Sequence, residues 1–311
     1  MSPTLSLRDR HSGRPLRVLI TRPADQAEQT AELVQQAGGE ALVCPCLIAA
    51  PPVEPLAASL RQALQALSTA GGPRPVLAVT SRYAVLALAD ALRSQAPAQT
   101  LADALQGWFV AAVGPRTADA LAQQGRPADR IAGEPSALES AAEKAVDATD
   151  EASSAAQLAA LLVDLQQRQS PADLAPGKRV LFLRAAEARP TLPQTLRAAG
   201  FDVSECVAYR MVAASPDALE PMVQALTEAR VDLVPFGSPR TVAIALSALG
   251  PQAAALLART RVGAIGQTTA QALRDAGIRV DVVATQARFD SLLSHLVSDL
   301  LSHPVSGVSA R

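Results

Sequence analysis

The sequence has few aromatic residues, almost no net charge and few cysteines, and each shortage excludes a class of protein. Aromatic residues make up 3% of the 311 residues, too few for the stacking platforms that bind single-stranded nucleic acid. The formal net charge is −1, so no basic field attracts a phosphate backbone, and we expect no nucleic-acid partner. The three cysteines, Cys44, Cys46 and Cys206, are an odd number in a long chain, which argues against a disulfide framework.

The usual signatures of membrane, nucleotide and metal proteins are also missing. No apolar run approaches the length of a membrane span, and residues 1–16 lack the apolar core of a signal peptide. We therefore expect a cytoplasmic protein with no membrane partner and a frayed terminus at residues 1–16. No glycine-rich phosphate loop follows a strand, and no histidine has the spacing of a metal site or a Ser-His-Asp triad. We predict no metal, no cofactor and a buried structural role for Cys44 and Cys46.

What the sequence does contain is a motif written twice. The segment AVGPRTADALAQQG at residues 112–125 reappears as AIGQTTAQALRDAG at residues 264–277. Two further pairs keep the same order, residues 17–22 with 179–184 and residues 79–81 with 236–238, at offsets of 162 and 157 against 152 for the long motif. This internal duplication predicts two similar α/β lobes with a cleft between them.

Short β-branched or leucine-rich runs alternate with helical segments along the chain, which predicts parallel sheets built from βαβ units. We expect ten strands, at residues 17–21, 41–44, 76–79, 109–113, 130–132, 179–183, 202–207, 231–235, 262–265 and 279–283. The first copy of the repeat is 17 residues longer than the second before a leucine-bearing helix at 154–165. This insertion predicts a surface loop or a frayed helix around 135–153.

Polar residues follow the strands at the places where parallel sheets bind ligands, beyond the carboxyl ends of the strands and beside helix N-termini. The residues expected there are Thr21, Arg22, Ser81, Arg82, Arg116, Thr117, Arg184, Ser238, Arg240, Thr268 and Thr269. Five arginines gathered from a nearly neutral chain predict a ligand that carries several negative charges. Each arginine taken alone is equally well explained as a solvated residue at the start of a helix.

Tyr209 is the best candidate for a catalytic acid. It is one of two tyrosines in the chain and lies just after the strand expected at 202–207. A positioned weak acid suits a chain that has no sign of a nucleophile or a metal. The alternative is a tyrosine that only packs its ring between the lobes.

In this order, these residues resemble the uroporphyrinogen-III synthase family from residue 17 to about residue 300. The resemblance rests on ITRP at 20–23, TSxxAV at 80–85, VGxxTA at 113–118, GKRVLFLR at 177–184, VAYR at 207–210, FxSP at 236–239 and IGxxTA at 265–270. Each motif is short, and the ordered set is specific. Tyr83 stands where the family usually has asparagine, and Gly237 where it usually has threonine. The family's roles at these two positions are therefore not transferred.

The resemblance implies two flavodoxin-like lobes with five-stranded parallel sheets, joined by a two-stranded connection, with the active site in the cleft between the lobes. Transferred to this chain, residues 1–47 and 213–311 form lobe 1, and residues 48–212 form lobe 2. This crossed partition gives each lobe five of the ten expected strands and keeps Tyr209 next to the connection.

The resemblance also implies the reaction, in which a lyase of tetrapyrrole biosynthesis cyclises hydroxymethylbilane to uroporphyrinogen III with inversion of ring D and loss of water. The substrate is a linear tetrapyrrole with eight carboxylates, and no cofactor is needed. Tyr209 would protonate the departing hydroxyl, while Ser81, Thr117, Ser238 and Thr269 would hold carboxylates through hydroxyl and backbone donors. We expect a monomer, and a transient contact with the preceding pathway enzyme stays open.

Two other classes of protein are alternatives to this one. A two-lobed tetrapyrrole or small-anion sensor that has lost catalysis would be favoured by replacement of Tyr209 or by a fused DNA-binding or receiver segment, and neither is found in the sequence. An α/β hydrolase requires a GxSxG nucleophile elbow, and GSP at 237–239 is not one.

Overall fold

A parallel β-sheet lies at the centre of each of two units of the chain. The computed structural model describes residues 6–9, 12–69, 73–132, 151–167 and 177–302. The chain divides into unit 1, Met1–Ile48 with Val212–Arg311, and unit 2, Ala49–Met211. The predicted α/β class with parallel sheets is confirmed.

The helices and strands follow one another along the chain as follows. The first part of unit 1 holds β1 (Arg17–Ile20), α1 (Ala24–Gln36) and β2 (Glu40–Val43). Then come β3 (Leu47–Ala50), α2 (Leu56–Thr69), β4 (Val76–Val79), α3 (Arg82–Gln95), α4 (Leu101–Ala104), β5 (Phe109–Val113), α5 (Gly114–Gln123), β6 (Arg130–Ala132), α6 (Glu151–Gln167), β7 (Arg179–Ala185), α7 (Thr191–Ala198) and β8 (Asp202–Ala213). The chain then adds α8 (Pro216–Thr227), β9 (Leu233–Phe236), α9 (Pro239–Leu249), a 3₁₀ turn (Gly250–Gln252), α10 (Ala253–Leu257), β10 (Arg261–Ala264), α11 (Gln267–Asp275), β11 (Val282–Val283) and α12 (Phe289–Ser302).

The two sheets share one strand order. The sheet of unit 1 runs β11-β10-β9-β1-β2, which is the flavodoxin-like order 2-1-3-4-5 when its strands are numbered along the chain. The other sheet runs β3-β8-β7-β4-β5-β6. It has the same spatial order when β7 and β8 are counted first and β3 is set aside. The order in which its strands follow one another along the chain is therefore a circular permutation of the order in unit 1. In both sheets, the neighbouring strands whose residue register is defined run parallel to each other.

The prediction of five strands holds for unit 1 and is wrong for the second sheet, which has six. The additional strand is β3, at Leu47–Ala50, directly after the Cys44-Pro45-Cys46 segment. It pairs beside β8, which continues to Ala213 rather than ending at residue 207. A long neighbouring strand offers backbone donors and acceptors to a segment that is too short for its own periodicity to show.

Each sheet is covered on both faces, because alternate residues of its strands enter two different cores. In β4, Leu77 and Val79 join the cluster formed with α2, α3, α4 and α5, whereas Val76 and Ala78 join the cluster formed with α6 and α7. Unit 1 is layered in the same way, with α8–α11 on one face and α1 and α12 on the other. Burial of both faces explains why the strands appear in the sequence as continuous apolar runs.

A pair of aspartates shows the duplication in three dimensions. Asp129 accepts a hydrogen bond from the backbone N–H of Val110 at 2.7 Å, and Asp281 accepts one from Val262 at 2.8 Å. Both pairs are related by the same offset of 152 residues as the long motif. Each carboxylate also forms an ion pair with an arginine two or three residues before it. The repeat therefore preserves a hydrogen bond that fixes the amino end of a strand.

The expectation of a frayed terminus is wrong for residues 6–9 and 12–16. Leu7 is fully buried in the core of unit 1, and Arg8 forms a β-bridge with Pro15. Arg14 binds both carboxylate oxygens of Asp232, at 2.8 and 2.9 Å. Burial alone would raise the pKa of Asp232, but the hydrogen bonds from Arg14 and Arg17 outweigh it and lower this pKa to about 2. Two buried leucines, Leu7 and Leu16, and the ion pair of Arg14 with Asp232 thus hold this segment in place.

Two further expectations concern single segments. Within the described part of the chain, one helical stretch, Pro239–Leu257, is long and apolar enough to span a membrane by length and composition alone. It comprises α9, the 3₁₀ turn and α10, and its residues Val242, Leu249 and Leu256 lie in the core of unit 1. The insertion expected around 135–153 falls largely on residues 133–150, which lie outside the described residues.

Candidate functional site

The residues predicted to bind a ligand fall into two groups, one at the carboxyl edge of each sheet. Ser81, Arg82, Arg116, Thr117, Arg184 and Tyr209 lie on or after the neighbouring strands β4, β5, β7 and β8. Thr21, Arg22, Ser238, Arg240, Thr268 and Thr269 lie after the neighbouring strands β1, β9 and β10. Because parallel strands end at one edge, each group is brought together within its own unit.

Helix N-termini supply backbone donors at the edge of unit 2. Ser81 is the N-cap of α3, where its Oγ accepts a hydrogen bond from the backbone N–H of Tyr83 at 3.1 Å. Gly114 begins α5 with φ +67°, a left-handed conformation that L side chains rarely adopt, and a Cβ there would meet no atom within 4 Å. The backbone conformation, not crowding, therefore requires glycine at the start of this helix.

The repeated threonines are buried, whereas the residues directly before them are not. Thr117 is 5% exposed and Thr269 is 3% exposed, whereas Thr268 is an exposed residue and Arg116 is half-buried. Both buried threonines lie in the first turn of a helix, α5 or α11. Their positions favour a role in fixing the turn, so the backbone N–H groups of the turn remain the donors best placed for a ligand.

Tyr209 lies within β8, and the expectation that it follows the strand is wrong. Arg184 pairs with Val207 and Ala185 with Tyr209, so the register shifts and Ala208 is an additional residue on β8. This arrangement is a β-bulge, which rotates the following side chain to the other face of the sheet. Alternation from Cys206 would place Tyr209 opposite Ala208, but both enter the same buried cluster. The bulge therefore directs Tyr209 into the core beside α3.

A second tyrosine lies against Tyr209. The ring centroids of Tyr83 and Tyr209 are 5.5 Å apart with a tilt of 51° between their planes, within the range of favourable aromatic pairs. The Arg82 guanidinium lies 5.5 Å from the centroid of the Tyr83 ring, close enough for a cation–π interaction. Tyr209 is 6% exposed, and Tyr83 is half-buried. These three residues form a continuous group that we call the tyrosine pair with its arginine.

Arg184 is engaged within its own unit. Its Nε lies 2.8 Å from Oε2 of Glu205, and its Nη1 donates to the backbone oxygens of Ala185 and Ala186. Arg197 binds the other carboxylate oxygen of Glu205 at 2.9 Å. Part of the charge of Arg184 is therefore balanced by a neighbouring carboxylate on β8.

In unit 1, Thr21 and Arg22 lie at the point where the strand order reverses, between β1 and β9. Thr21 is fully buried, and its Oγ1 has no hydrogen-bond partner among the described residues. Arg22 donates to Gln26 Oε1 at 2.9 and 3.2 Å and to Thr30 Oγ1 at 3.0 Å. Such reversal points are the usual ligand sites of open α/β sheets, and here the arginine is held in one orientation.

Phe289 completes this edge of unit 1. The guanidinium of Arg22 lies 4.0 Å from the centroid of the Phe289 ring. A Cβ added to Gly237 would lie 3.1 Å from Phe289 Cε2, so the ring occupies the space of a side chain at position 237. Ser238 is the N-cap of α9 and accepts from the Thr241 N–H at 3.2 Å. Arg240 is exposed in the first turn of that helix.

Among the described residues, the three cysteines are not part of a metal site. Cys44, Cys46 and Cys206 are free and buried. Burial raises the pKa of all three thiols, that of Cys46 to about 12. Among the described residues, no group of three or more His, Cys, Asp or Glu side chains could hold a metal ion. A pocket of about 460 Å³ opens between α8 and α9, and no predicted ligand residue lines it.

Sequence reasoning did not assign three of the residues that shape these edges. Tyr83 and Phe289 contact predicted site residues, and Glu205 neutralises one of them. The rarity of tyrosine, two in 311 residues, was the one signal that could have identified Tyr83. The contacts of Phe289 and Glu205 depend on strand pairing, which the local sequence does not encode.

The fold and the two edges define an α/β protein of duplicated design, with hydroxyls, arginines and helix N-termini at the carboxyl ends of both sheets. This combination is suited to an anionic ligand. Residues 28–294 match the model of a protein family described as uroporphyrinogen-III synthase HemD. The chain belongs to this family, whose members are enzymes of tetrapyrrole biosynthesis.

The chain is also similar to individual proteins of known sequence or structure. A Methanothermobacter thermautotrophicus protein named "Putative uroporphyrinogen-III synthase" is 29% identical over 263 residues, which cover 83% of this chain and 89% of that protein. The solved uroporphyrinogen-III synthetase of Helicobacter pylori aligns over 91% of this chain and 99% of its own, with 17% identity and a TM-score of 0.46. A mutant uroporphyrinogen III synthase of Thermus thermophilus aligns over 93% of this chain and 100% of its own, with 20% identity and a TM-score of 0.43.

Proposed function

We propose that this chain cyclises hydroxymethylbilane to uroporphyrinogen III, with inversion of ring D and loss of water. The observation that carries the proposal is the family match over residues 28–294. The matched range contains every predicted site residue except Thr21 and Arg22, which precede it. The reaction assigns the chain to the lyases and requires no cofactor.

The substrate suits the chemistry of both sheet edges. A linear tetrapyrrole with eight carboxylates needs many hydrogen-bond donors that are fixed before it arrives. Helix N-termini at α3, α5, α9 and α11 offer backbone N–H groups, and Arg82, Arg116 and Arg240 add positive charge beside them. That both edges contact one substrate in a cleft stays a prediction.

Tyr209 is proposed as the acid that starts the reaction. The pyrrole nitrogen of ring A releases its electron pair into the ring system, the carbon–oxygen bond of the hydroxymethyl group breaks, and the phenol of Tyr209 gives its proton to the leaving oxygen. Water and an electrophilic azafulvene that still carries the proton on its nitrogen result. The bulge in β8 and the contact with Tyr83 support this role, because they hold the phenol in one orientation.

Inversion then depends on how the substrate is folded. The substituted carbon of ring D attacks the azafulvene and forms a spiro intermediate, which reopens and closes again at the free position. Ring D loses a proton as it regains aromaticity, and this proton balances the one that Tyr209 gave. Unassisted closure gives the uninverted type I isomer, so the protein must favour the spiro geometry by positioning the carboxylates.

The test is incubation of the purified chain with freshly generated hydroxymethylbilane, followed by chromatographic separation of the type I and type III products. We expect type III in excess of a control with heat-denatured protein. Type I alone, at the spontaneous rate, would reject the proposal and favour the sensor function. Size-exclusion chromatography of the same sample tests the expectation of a monomer. Cytoplasmic location and contact with the preceding pathway enzyme are further expectations.

A further inference from the structure

The tyrosine pair with its arginine brings both tyrosines of the chain into contact. Tyr209 enters the core of unit 2 only because β8 carries a bulge at Ala208. Tyr209 as a residue is 6% exposed, whereas Tyr83 is half-buried in the first turn of α3. Tyr83 is therefore the aromatic neighbour that lies nearer to solvent.

Two contacts hold Tyr83, one at its backbone and one at its ring. Its backbone N–H donates to Ser81 Oγ at 3.1 Å, which holds the first turn of α3. The Arg82 guanidinium lies 5.5 Å from its ring centroid, and such a contact contributes about 0.5–1 kcal/mol at an exposed site. Because the backbone of Tyr83 and one face of its ring are both held, this side chain can restrict the movement of the Tyr209 ring beside it.

We propose that Tyr83 is a positioning residue for Tyr209, whose ring it covers on one side and holds in the orientation from which the phenol donates its proton. The inference rests on the proposed function, because the benefit of positioning depends on Tyr209 acting as the acid. The aromatic ring of Tyr83, rather than its hydroxyl, carries this role, since the contact between the two residues is a tilted ring pair at 5.5 Å.

The first test measures how well the side chain at position 83 shields Tyr209 from a reagent, and it does not depend on enzyme activity. Tyr83→Phe and Tyr83→Leu each leave Tyr209 as the only tyrosine of the chain, so nitration by tetranitromethane, followed by peptide mass analysis, reports on Tyr209 alone. We expect nitration several-fold faster in Tyr83→Leu than in Tyr83→Phe. Equal rates would overturn the inference, whether or not the chain makes type III product. Circular dichroism checks folding, and Tyr83→Met replaces Tyr83→Leu if the latter does not fold.

The second test measures the consequence for type III formation. Tyr83→Phe should keep kcat within about twofold of the wild type, while Tyr83→Leu should lower kcat by about tenfold with little change in KM, as for a misplaced catalytic group. In a Tyr209→Phe background, Tyr83→Leu should change kcat by less than about twofold, because the group it positions is gone. An equal loss in both backgrounds, or a loss confined to KM, would show that Tyr83 acts independently of Tyr209. Failure of the wild type to form type III product rejects the proposed function and leaves the nitration result unaffected.

Discussion

Replacing Gly237 by threonine should destabilise unit 1 through one ring, that of Phe289. A Cβ at position 237 would lie 3.1 Å from Phe289 Cε2 and 3.3 Å from Cζ, so the ring must move by a few tenths of an ångström. Phe289 is 7% exposed and packed in the core, where such overpacking costs about 1–3 kcal/mol. The loss of glycine's freedom in the unfolded chain offsets about 0.4–1 kcal/mol. We expect a net loss of about 1–2 kcal/mol in the free energy of unfolding.

The same movement should disturb Arg22, whose guanidinium lies 4.0 Å from the Phe289 centroid. Urea unfolding measures the stability of Gly237→Thr, Phe289→Leu and the double variant. In the double variant the shorter leucine makes room for threonine, so its loss should be smaller than the sum of the single losses by about 1 kcal/mol.

Gly266→Thr is the matched control, because Gly266 has an extended backbone and a Cβ there would meet no atom within 4 Å. Its free energy of unfolding should change by less than about 0.5 kcal/mol. If Gly237→Thr behaved like Gly266→Thr, or if the two single losses added within about 0.5 kcal/mol, the proposed contact between position 237 and Phe289 would be refuted.

Three further predictions follow from the site and from one ion pair. Tyr209→Phe should lower the rate of type III formation by roughly 10²–10⁴-fold while the urea midpoint and the product identity stay the same; an unchanged rate would remove Tyr209 from acid catalysis. Asp232→Asn should lower the free energy of unfolding at pH 7 by about 2 kcal/mol, because the pKa of Asp232 is lowered to about 2 in the folded state. This stability is complete above the unfolded pKa of about 4 and is lost as the pH falls through the folded value, so urea titrations at decreasing pH should show the wild type approaching the variant. Arg240→Gln should raise KM for hydroxymethylbilane about two- to fivefold, less at high salt, whereas Arg259→Gln, an exposed arginine before the amino end of β10, should leave KM unchanged.

Much of the fold was accessible from the sequence because its signals are local. Apolar runs predicted the positions of eight strands to within two residues at either end, whereas the strand expected at 279–283 is reduced to Val282–Val283. β8 extends six residues beyond its predicted end at 207, because it pairs with β3. Pairing partners far apart in sequence decide where a strand ends, and no local pattern records them.

The same distinction between local signals and long-range contacts applies to the candidate site. Ser81 and Ser238 were placed correctly at helix starts, since N-cap chemistry is a property of a few consecutive residues. Thr117 and Thr269 occupy equivalent buried positions, as the repeat indicates. Their burial, and the ion pair of Arg184 with Glu205, depend on the packing of whole helices and strands and could not be predicted.

The sequence by itself determined the α/β class, the duplication and the residues at the strand ends, because hydrophobic period, glycine turns and repeats are written in consecutive residues. Only the tertiary structure decided that Leu7 is buried, that a bulge directs Tyr209 toward Tyr83, and that Phe289 occupies the space beside Gly237. These features arise from strand register and from contacts between residues far apart in the chain. Their free energies belong to pairs of distant residues, so neither member of a pair carries the information alone.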